Sequence, residues 1–368
     1  MVKLDEKNGY EHFMLKEIHE QPATVNRTLN GRIENNKVTF QDFEISLETA
    51  KKWNKVYIVA CGTAYHAGLV GKKLFEKLLK MPVEVDIASE FAFREPLVDE
   101  KTLVIVVTQS GETTDTLEAL REAKSKGADV MAITNVVDST IARESDYVIY
   151  IWAGSEVAIP STKAYTAMLI AEYLLVLYLG QIKGIIDEET SAKIIKELQQ
   201  LPKEIEKILA EVDKFEKIAQ EFKDKENVFF IGRGFDWAIA LEGALKLKET
   251  SYIHAEAYPS GEFKHGTTAL VNEGTLIIAV CTQKSIYDKT LANIKEFSER
   301  GAKVVAIGVE GDTELAKYTE EVIYIPEVDN LLLPALAVMP LQLIAYYISK
   351  AKGCEIDQPR NLTKAVIG

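Results

Sequence analysis

The chain contains its own pattern twice, and this repeat limits what it can fold into more than any other feature. Residues 56–70 (VYIVACGTAYHAGLV) and 228–242 (VFFIGRGFDWAIALE) are each an apolar run, a glycine turn and an amphipathic segment. TLVIVV (102–107) is matched by TLIIAV (275–280), EALREAKSKGADVMAIT (118–134) by ANIKEFSERGAKVVAIG (292–308), and ESDYVIYI (144–151) by YTEEVIYI (318–325). The offset drifts only from 172 to 174 residues, so element order is kept throughout. Order kept over two long stretches points to two copies of one domain rather than to a short-period solenoid.

Within each copy, short β-branched runs alternate with amphipathic segments. The runs show no period-2 alternation, as expected of strands buried on both faces, and alternation with helices implies a parallel sheet covered by helices. Gly127 and Gly301 follow segments ending in basic residues, as helix C-caps do. The expected fold is α/β, with two tandem doubly wound parallel-sheet domains. The expected boundaries are a helical N-terminal segment over 1–39, a first domain over 40–187, a helical connector over 188–224 divided by Pro202, a second domain over 225–352, and a tail over 353–368.

Composition narrows the partners. The 368 residues carry a net charge of −13, which disfavours nucleic acid or an anionic membrane surface as the main partner. Three dispersed cysteines with no CxxC or Cys/His spacing make a disulfide framework or zinc site unexpected and fit a cytoplasmic protein. The N-terminus reads as too polar for a signal peptide, and no apolar run reads as long enough to span a membrane.

The candidate site begins at Thr108. Five of the nine residues from Thr108 to Thr116 carry hydroxyls and none is basic. The stretch TQSGETTDT follows a strand and opens a helix expected from Leu117. Ligands of parallel sheets sit beyond the strands' carboxyl ends, and a helix N-terminus offers unpaired N–H groups and partial positive charge. Thr108, Ser110 and Thr113 can therefore hold a phosphate without a lysine, although ordinary capping accounts for the same residue types. The matching stretch of the second copy, CTQKSIYDKT, lacks Ser-Gly-Glu-Thr. Thr63 in CGTAYHAG and Ser161 in PSTKAY stand at similar helix starts. In the second copy Glu242, Lys246 and Glu249 share one helix face, read either as a solvated stripe or as acid–base groups. His265 lies between Lys264 and Gly266 in a tight loop, and the tail carries Lys364.

CGTAYHAGLVGK, IASEFAFR, TQSGETTDTLEALREAK, ITNVVDSTIARESD, PSTKAYTA, ALEGALKLKETSYIHAEAY, GEFKHG and DQPRNLTKAV together resemble the isomerase half of the glutamine–fructose-6-phosphate amidotransferase (glucosamine-6-phosphate synthase) family. The resemblance runs from about residue 10 to 367. It implies two flavodoxin-like sugar-isomerase domains, a homodimer, no cofactor and no metal. It also implies fructose 6-phosphate and ammonia as substrates and glucosamine 6-phosphate as product. By motif, Thr108, Gln109, Ser110 and Thr113 would hold the phosphate with Thr63 beside them, and Ser161 and Glu242 would line the substrate. Glu249 would move the proton between C1 and C2, His265 would open the ring, from the partner subunit in one arrangement, and Lys364 would form a Schiff base. Lys246 would assist at the rearranging hydroxyl.

Two departures bear on this resemblance. Residue 2 is Val where the full-length family has a nucleophilic cysteine heading a glutaminase domain, so ammonia is expected from elsewhere and glutamine hydrolysis is not expected. Ala64 stands where the family usually has serine. An amino-sugar-phosphate deaminase or deglycase of the same fold is the alternative reading.

Overall fold

The structure, a computed structural model, describes residues 6–366; the outermost residues of the two terminal segments, 1–5 and 367–368, lie outside it. The chain forms two compact units that are discontinuous in sequence. The first comprises Gln21–Glu156, Lys163–Pro202 and the tail from Thr363; the second comprises residues through Glu20, Val157–Thr162 and Lys203–Leu362. The N-terminal segment is therefore shared. Helix α1 (Phe13–His19) belongs to the second unit, while α2 (Gln21–Leu29) and an antiparallel hairpin, β1 (Ile33–Glu34) with β2 (Lys37–Val38), belong to the first.

The first unit continues with α3 (Leu47–Lys52), β3 (Lys55–Ala60), α4 (Gly62–Leu74), β4 (Val83–Ile87), α5 (Ala88–Phe91), β5 (Thr102–Val107), α6 (Thr114–Ser125), β6 (Asp129–Thr134), α7 (Thr140–Glu144), β7 (Tyr147–Tyr150) and α8 (Lys163–Lys183). Its five-stranded sheet runs β4-β3-β5-β6-β7, all parallel. Alternate residues explain the double winding. Tyr57, Val59, Val104 and Val106 pack with Phe91, Ala119, Leu120 and Ile141 of the helices on one face, whereas Ile58 lies against Gly68 of α4 on the other. With apolar residues needed on both faces, β5 is buried along its whole length, which is why its sequence shows no alternation.

The second unit repeats the plan with β8 (Asn227–Gly232), α11 (Phe235–Ser251), β9 (His254–Pro259), β10 (Leu276–Val280), α12 (Tyr287–Glu299), β11 (Lys303–Val309), β12 (Glu321–Ile325) and α13 (Leu333–Ala351), preceded by α10 (Val212–Phe222), while α9 (Glu188–Leu209) begins in the first unit and ends in the second. Its parallel sheet runs β12-β11-β10-β8-β9, the same order as the first. Phe229, Ile231, Ile277 and Ala279 pack with Ile294 and Phe297, while Phe230 lies against Gly243 of α11.

Two expectations are corrected. Pro202 does not break the connector's helix: it lies inside α9, and the helix is interrupted at residues 210–211 instead, although the division between the two units falls after Pro202. The buried stripe Ile194, Ile195, Leu198, Leu201, Ile205 and Ile208 continues through the proline, so packing outweighs the lost backbone bond. Moreover, α8 and α13 are long and apolar enough to cross a membrane. Their most apolar windows are 89% and 94% buried by the protein itself, so they are core helices of these units.

Candidate functional site

In both sheets the first and third strands of the domain are neighbours, and chain order reverses between them. In the first unit this switch point lies between β3 and β5, paired from Lys55↔Thr102 to Ala60↔Val107. A crevice beyond the carboxyl ends of strands at such a point is where open parallel sheets take ligands. The two loops that open there are Cys61–Thr63, leading into α4, and Thr108–Thr113, leading into α6.

The Thr108–Thr113 loop is shaped from within. Thr108 is buried, and its hydroxyl accepts the Gly111 N–H at 3.2 Å. Ser110 Oγ accepts the Glu112 N–H at 3.2 Å. Gly111 has φ +70°, and a Cβ there would fall 2.0 Å from Ser139 Oγ, so only glycine fits. Glu112 turns away: its carboxylate accepts the Thr140 N–H at 2.8 Å at the start of α7. That backbone bond, with the Thr140 hydroxyl second, holds the Glu112 pKa below the ordinary range.

Helix α6 starts at Thr114, earlier than expected, with Thr113 at its N-cap. Thr113 does not cap it: no side-chain cap bond forms. Its Oγ1 lies instead 3.4 Å from Thr108 Oγ1 and 3.5 Å from Ser110 Oγ. Three hydroxyls thus gather at a helix N-terminus, which favours an anion through its N–H groups and dipole. Gln109 is half-buried in the same loop, and Thr63 is half-buried in the first turn of α4. The tail reaches this place as well, where the Val366 carbonyl accepts the Thr114 N–H at 3.3 Å; two residues earlier in the tail, Lys364 Nζ donates to Glu156 Oε2 at 2.8 Å. The first unit therefore holds Thr63, Thr108, Gln109, Ser110, Thr113 and Lys364.

The second unit holds Glu242, Lys246, Glu249, His265 and Ser161. The reading of Glu242 and Lys246 as a solvated stripe is wrong, for both side chains are fully buried. Lys246 Nζ lies 3.4 Å from Glu242 Oε1 and 2.6 Å from Glu249 Oε2, the latter an ion contact without the alignment of a hydrogen bond. Glu249, at 19% exposure, is the one member that reaches solvent. A buried ammonium is tolerable only when paired, so Lys246 fixes both carboxylates in place. Gly243 on α11 lets α13 approach, because a Cβ there would meet Leu341 Cδ1 at 2.7 Å. The Thr250 hydroxyl, bonded to the Lys246 carbonyl and to Ser349, holds the same two helices together. His265 is exposed in a turn before Gly266, whose φ is +128°. The Ser161 hydroxyl is buried with no hydrogen-bond partner among the described residues.

At the second unit's switch point the chain places a carboxyl group of its own. Asp236, in the first turn of α11, is fully buried and accepts the Thr282 N–H and hydroxyl and the Gln283 N–H. Asp236 corresponds in the repeat to Ala64. Sequence reasoning passed over both Asp236 and Glu156. Aligning the copies exposes the first, but nothing local exposes the second, whose partner is 208 residues away.

The SIS domain family matches residues 50–178 and again 221–349. The chain belongs to this family. It is 54% identical over 362 residues, 98% of its length, to a glutamine–fructose-6-phosphate aminotransferase (isomerizing) of Clostridium tetani, and it spans 60% of that relative's length. Among solved structures, the C-terminal domain of glucosamine-fructose-6-phosphate aminotransferase from Francisella tularensis superposes with a TM-score of 0.92 at 38% identity, covering 96% of this chain and 100% of that one. A glucosamine-6-phosphate deaminase from Thermotoga maritima superposes with a TM-score of 0.74 at 25% identity, covering 96% and 99%. Tandem SIS domains with the parallel sheets described above are thus the family's architecture in this chain.

Proposed function

We propose that this chain carries the sugar-phosphate isomerase chemistry of a glucosamine-6-phosphate-forming enzyme, taking fructose 6-phosphate and ammonia to glucosamine 6-phosphate. The observation that carries the reading is Thr113. It occupies a helix N-cap, yet turns its hydroxyl to Thr108 and Ser110 rather than to the helix. A loop that gives up its cap to gather hydroxyls at the carboxyl end of a sheet is suited to a phosphate monoester.

The chemistry follows in order. The nest of Thr108, Gln109, Ser110 and Thr113, with Thr63, holds the phosphate, Ser161 lines the sugar, and Glu242, wholly buried, holds Lys246 in place. His265 moves the proton that opens the ring. The Lys364 amine attacks the C2 carbonyl carbon and water leaves, forming an iminium. Ammonia displaces the lysine at C2. The resulting iminium acidifies the C1 proton, which Glu249 removes and returns at C2, leaving an aldehyde at C1 and an amine at C2. Lys246, closed off from solvent, pins Glu249, and the C1 hydroxyl gives up its proton to solvent. The relatives' further length is where ammonia would be generated.

Support also comes from the Francisella structure, which this chain covers end to end. The test is conversion of fructose 6-phosphate by the purified chain with and without ammonium, following glucose 6-phosphate and glucosamine 6-phosphate separately. Glucosamine 6-phosphate formed only with ammonium is the expected result; neither product, despite sugar-phosphate binding, would overturn it. The likeness to the Thermotoga deaminase favours a second reading, the same chemistry running toward fructose 6-phosphate and ammonia. Net ammonium release from glucosamine 6-phosphate at low product concentration, faster than the forward reaction, would select it.

A further inference from the structure

Glu156 lies outside the repeated motifs of the sequence, yet it is an enclosed charged group that the tail contacts. Its side chain has no exposed surface, whereas Lys364, its partner, remains 27% exposed. The two carboxylate oxygens do different things. Oε1 accepts the Ala164 N–H at 3.0 Å in the first turn of α8, and Oε2 accepts from Lys364 Nζ at 2.8 Å. The N-terminus of a long helix attracts a carboxylate, so Glu156 is anchored on the 21-residue α8. Two residues beyond Lys364, the Val366 carbonyl takes the N–H of Thr114, the residue after Thr113. The tail is therefore fastened at two points, one on Glu156 and one at the helix N-terminus that carries the hydroxyl nest.

We infer that Glu156 is the positioning residue for Lys364: it holds the amine of the tail beside the hydroxyl nest, so that the carbonyl of a sugar phosphate seated there meets the lysine. Ordering the long lysine side chain beforehand removes its rotamer entropy from the bimolecular step. Glu156 acts through Lys364 and touches no substrate. The inference rests on the reading of Lys364 as the Schiff-base lysine.

The experiment uses the full chain, fructose 6-phosphate and sodium cyanoborohydride, with mass spectrometry of the peptide bearing Lys364. Glu156→Gln keeps an oxygen for the Ala164 N–H and removes the charge; Glu156→Asp keeps the charge and shortens the reach. The expected result is that Glu156→Gln lowers the rate of Lys364 capture, and kcat, by about 100-fold. KM for fructose 6-phosphate should then stay within about twofold, and Glu156→Asp should recover part of the loss. Capture by Glu156→Gln at the unaltered rate overturns the inference. So does a fall in sugar-phosphate binding in step with capture, or a failure of both variants to fold, since either makes Glu156 architecture. No capture at Lys364 in the unaltered chain removes the Schiff-base reading itself, and the inference with it.

Discussion

Asp236 and Thr282 are bonded twice: Oδ1 accepts the threonine hydroxyl at 2.6 Å and Oδ2 accepts its backbone N–H at 2.8 Å. Oδ2 also takes the Gln283 N–H at 3.3 Å. In the first unit the same positions of the repeat are Ala64, Gln109 and Ser110, and among the described residues no carboxylate is bonded to them. One copy of the fold has thus filled its switch point with its own side chain, while the other presents hydroxyls there.

Asp236 has a pH signature with a definite sign. Burial, opposed by the bonds from Thr282 and Gln283, raises its pKa from 3.8 to about 6. A carboxyl whose folded-state pKa lies above its unfolded value contributes stability that is full below 3.8 and lost as pH rises through about 6. The stability of the unaltered chain relative to Asp236→Asn should fall between about pH 4 and 6 and level off above. Denaturant melts of both at pH 4, 5, 6 and 7 check this, and a difference that grows with pH would refute it.

Glu249 is expected to separate chemistry from binding. It is the member of the Glu242–Lys246–Glu249 set that reaches solvent, and it belongs to the second unit, whereas the hydroxyl nest belongs to the first. Glu249→Gln should lower turnover of fructose 6-phosphate by at least about 100-fold, the range for loss of a general base. Binding of the sugar phosphate, followed by calorimetry, should change little. A collapse of affinity alongside activity would make Glu249 a structural partner of Lys246 and not the proton carrier.

Gly111 makes the nest possible, and Gly111→Ala should close it. The substitution meets Ser139 Oγ at 2.0 Å and places a side chain at φ +70°. Strain and overpacking together should cost roughly 2–4 kcal/mol of stability, with loss of sugar-phosphate binding. Gly111→Ala combined with Ser139→Gly relieves the contact and not the backbone strain, so partial recovery of melting temperature is the expected readout. Full recovery would mean that φ at residue 111 is unimportant.

How much of this was legible beforehand depends on whether a feature is local. The repeat and the uninterrupted apolar runs, such as Leu103–Val107, lead directly to two parallel sheets, because only a strand covered on both faces needs that composition. The helix N-terminus at Thr108–Thr113 was legible for the same reason, being one contiguous loop. The burial of Glu242 and Lys246 was not. A charged i, i+4 pair looks alike on a solvated face and in a core, and only the packing of α11 against α13 distinguishes the two. Pro202 misled because the helix break expected of proline is weaker than the buried stripe on both sides of it. Glu156 was invisible because its ion pair joins a loop to a chain terminus.

Glu172 is the clearest case of a polar group placed where no local pattern calls for one. It lies in the middle of α8, fully buried, and neither carboxylate oxygen has a hydrogen-bond partner among the described residues. Its head group sits against Gly71 of α4: a Cβ at that glycine would come within 2.7 Å of Oε1. Burial pushes its pKa well above 4.5. The sign is again that of an acid that prefers to be neutral in the fold. Its contribution is full below about pH 4.5, the unfolded value, and declines steadily as pH rises above it until the folded group itself ionises. Glu172→Met removes the buried polar group at nearly constant volume, so it should stabilise the chain at pH 8, by roughly 1–3 kcal/mol, and less at pH 5. Gly71→Ala in the unaltered background should destabilise by roughly 1–3 kcal/mol through overpacking. Thermal melts at the two pH values check both, and a Glu172→Met variant less stable than the unaltered chain at pH 8 would show that the carboxyl is satisfied in the fold.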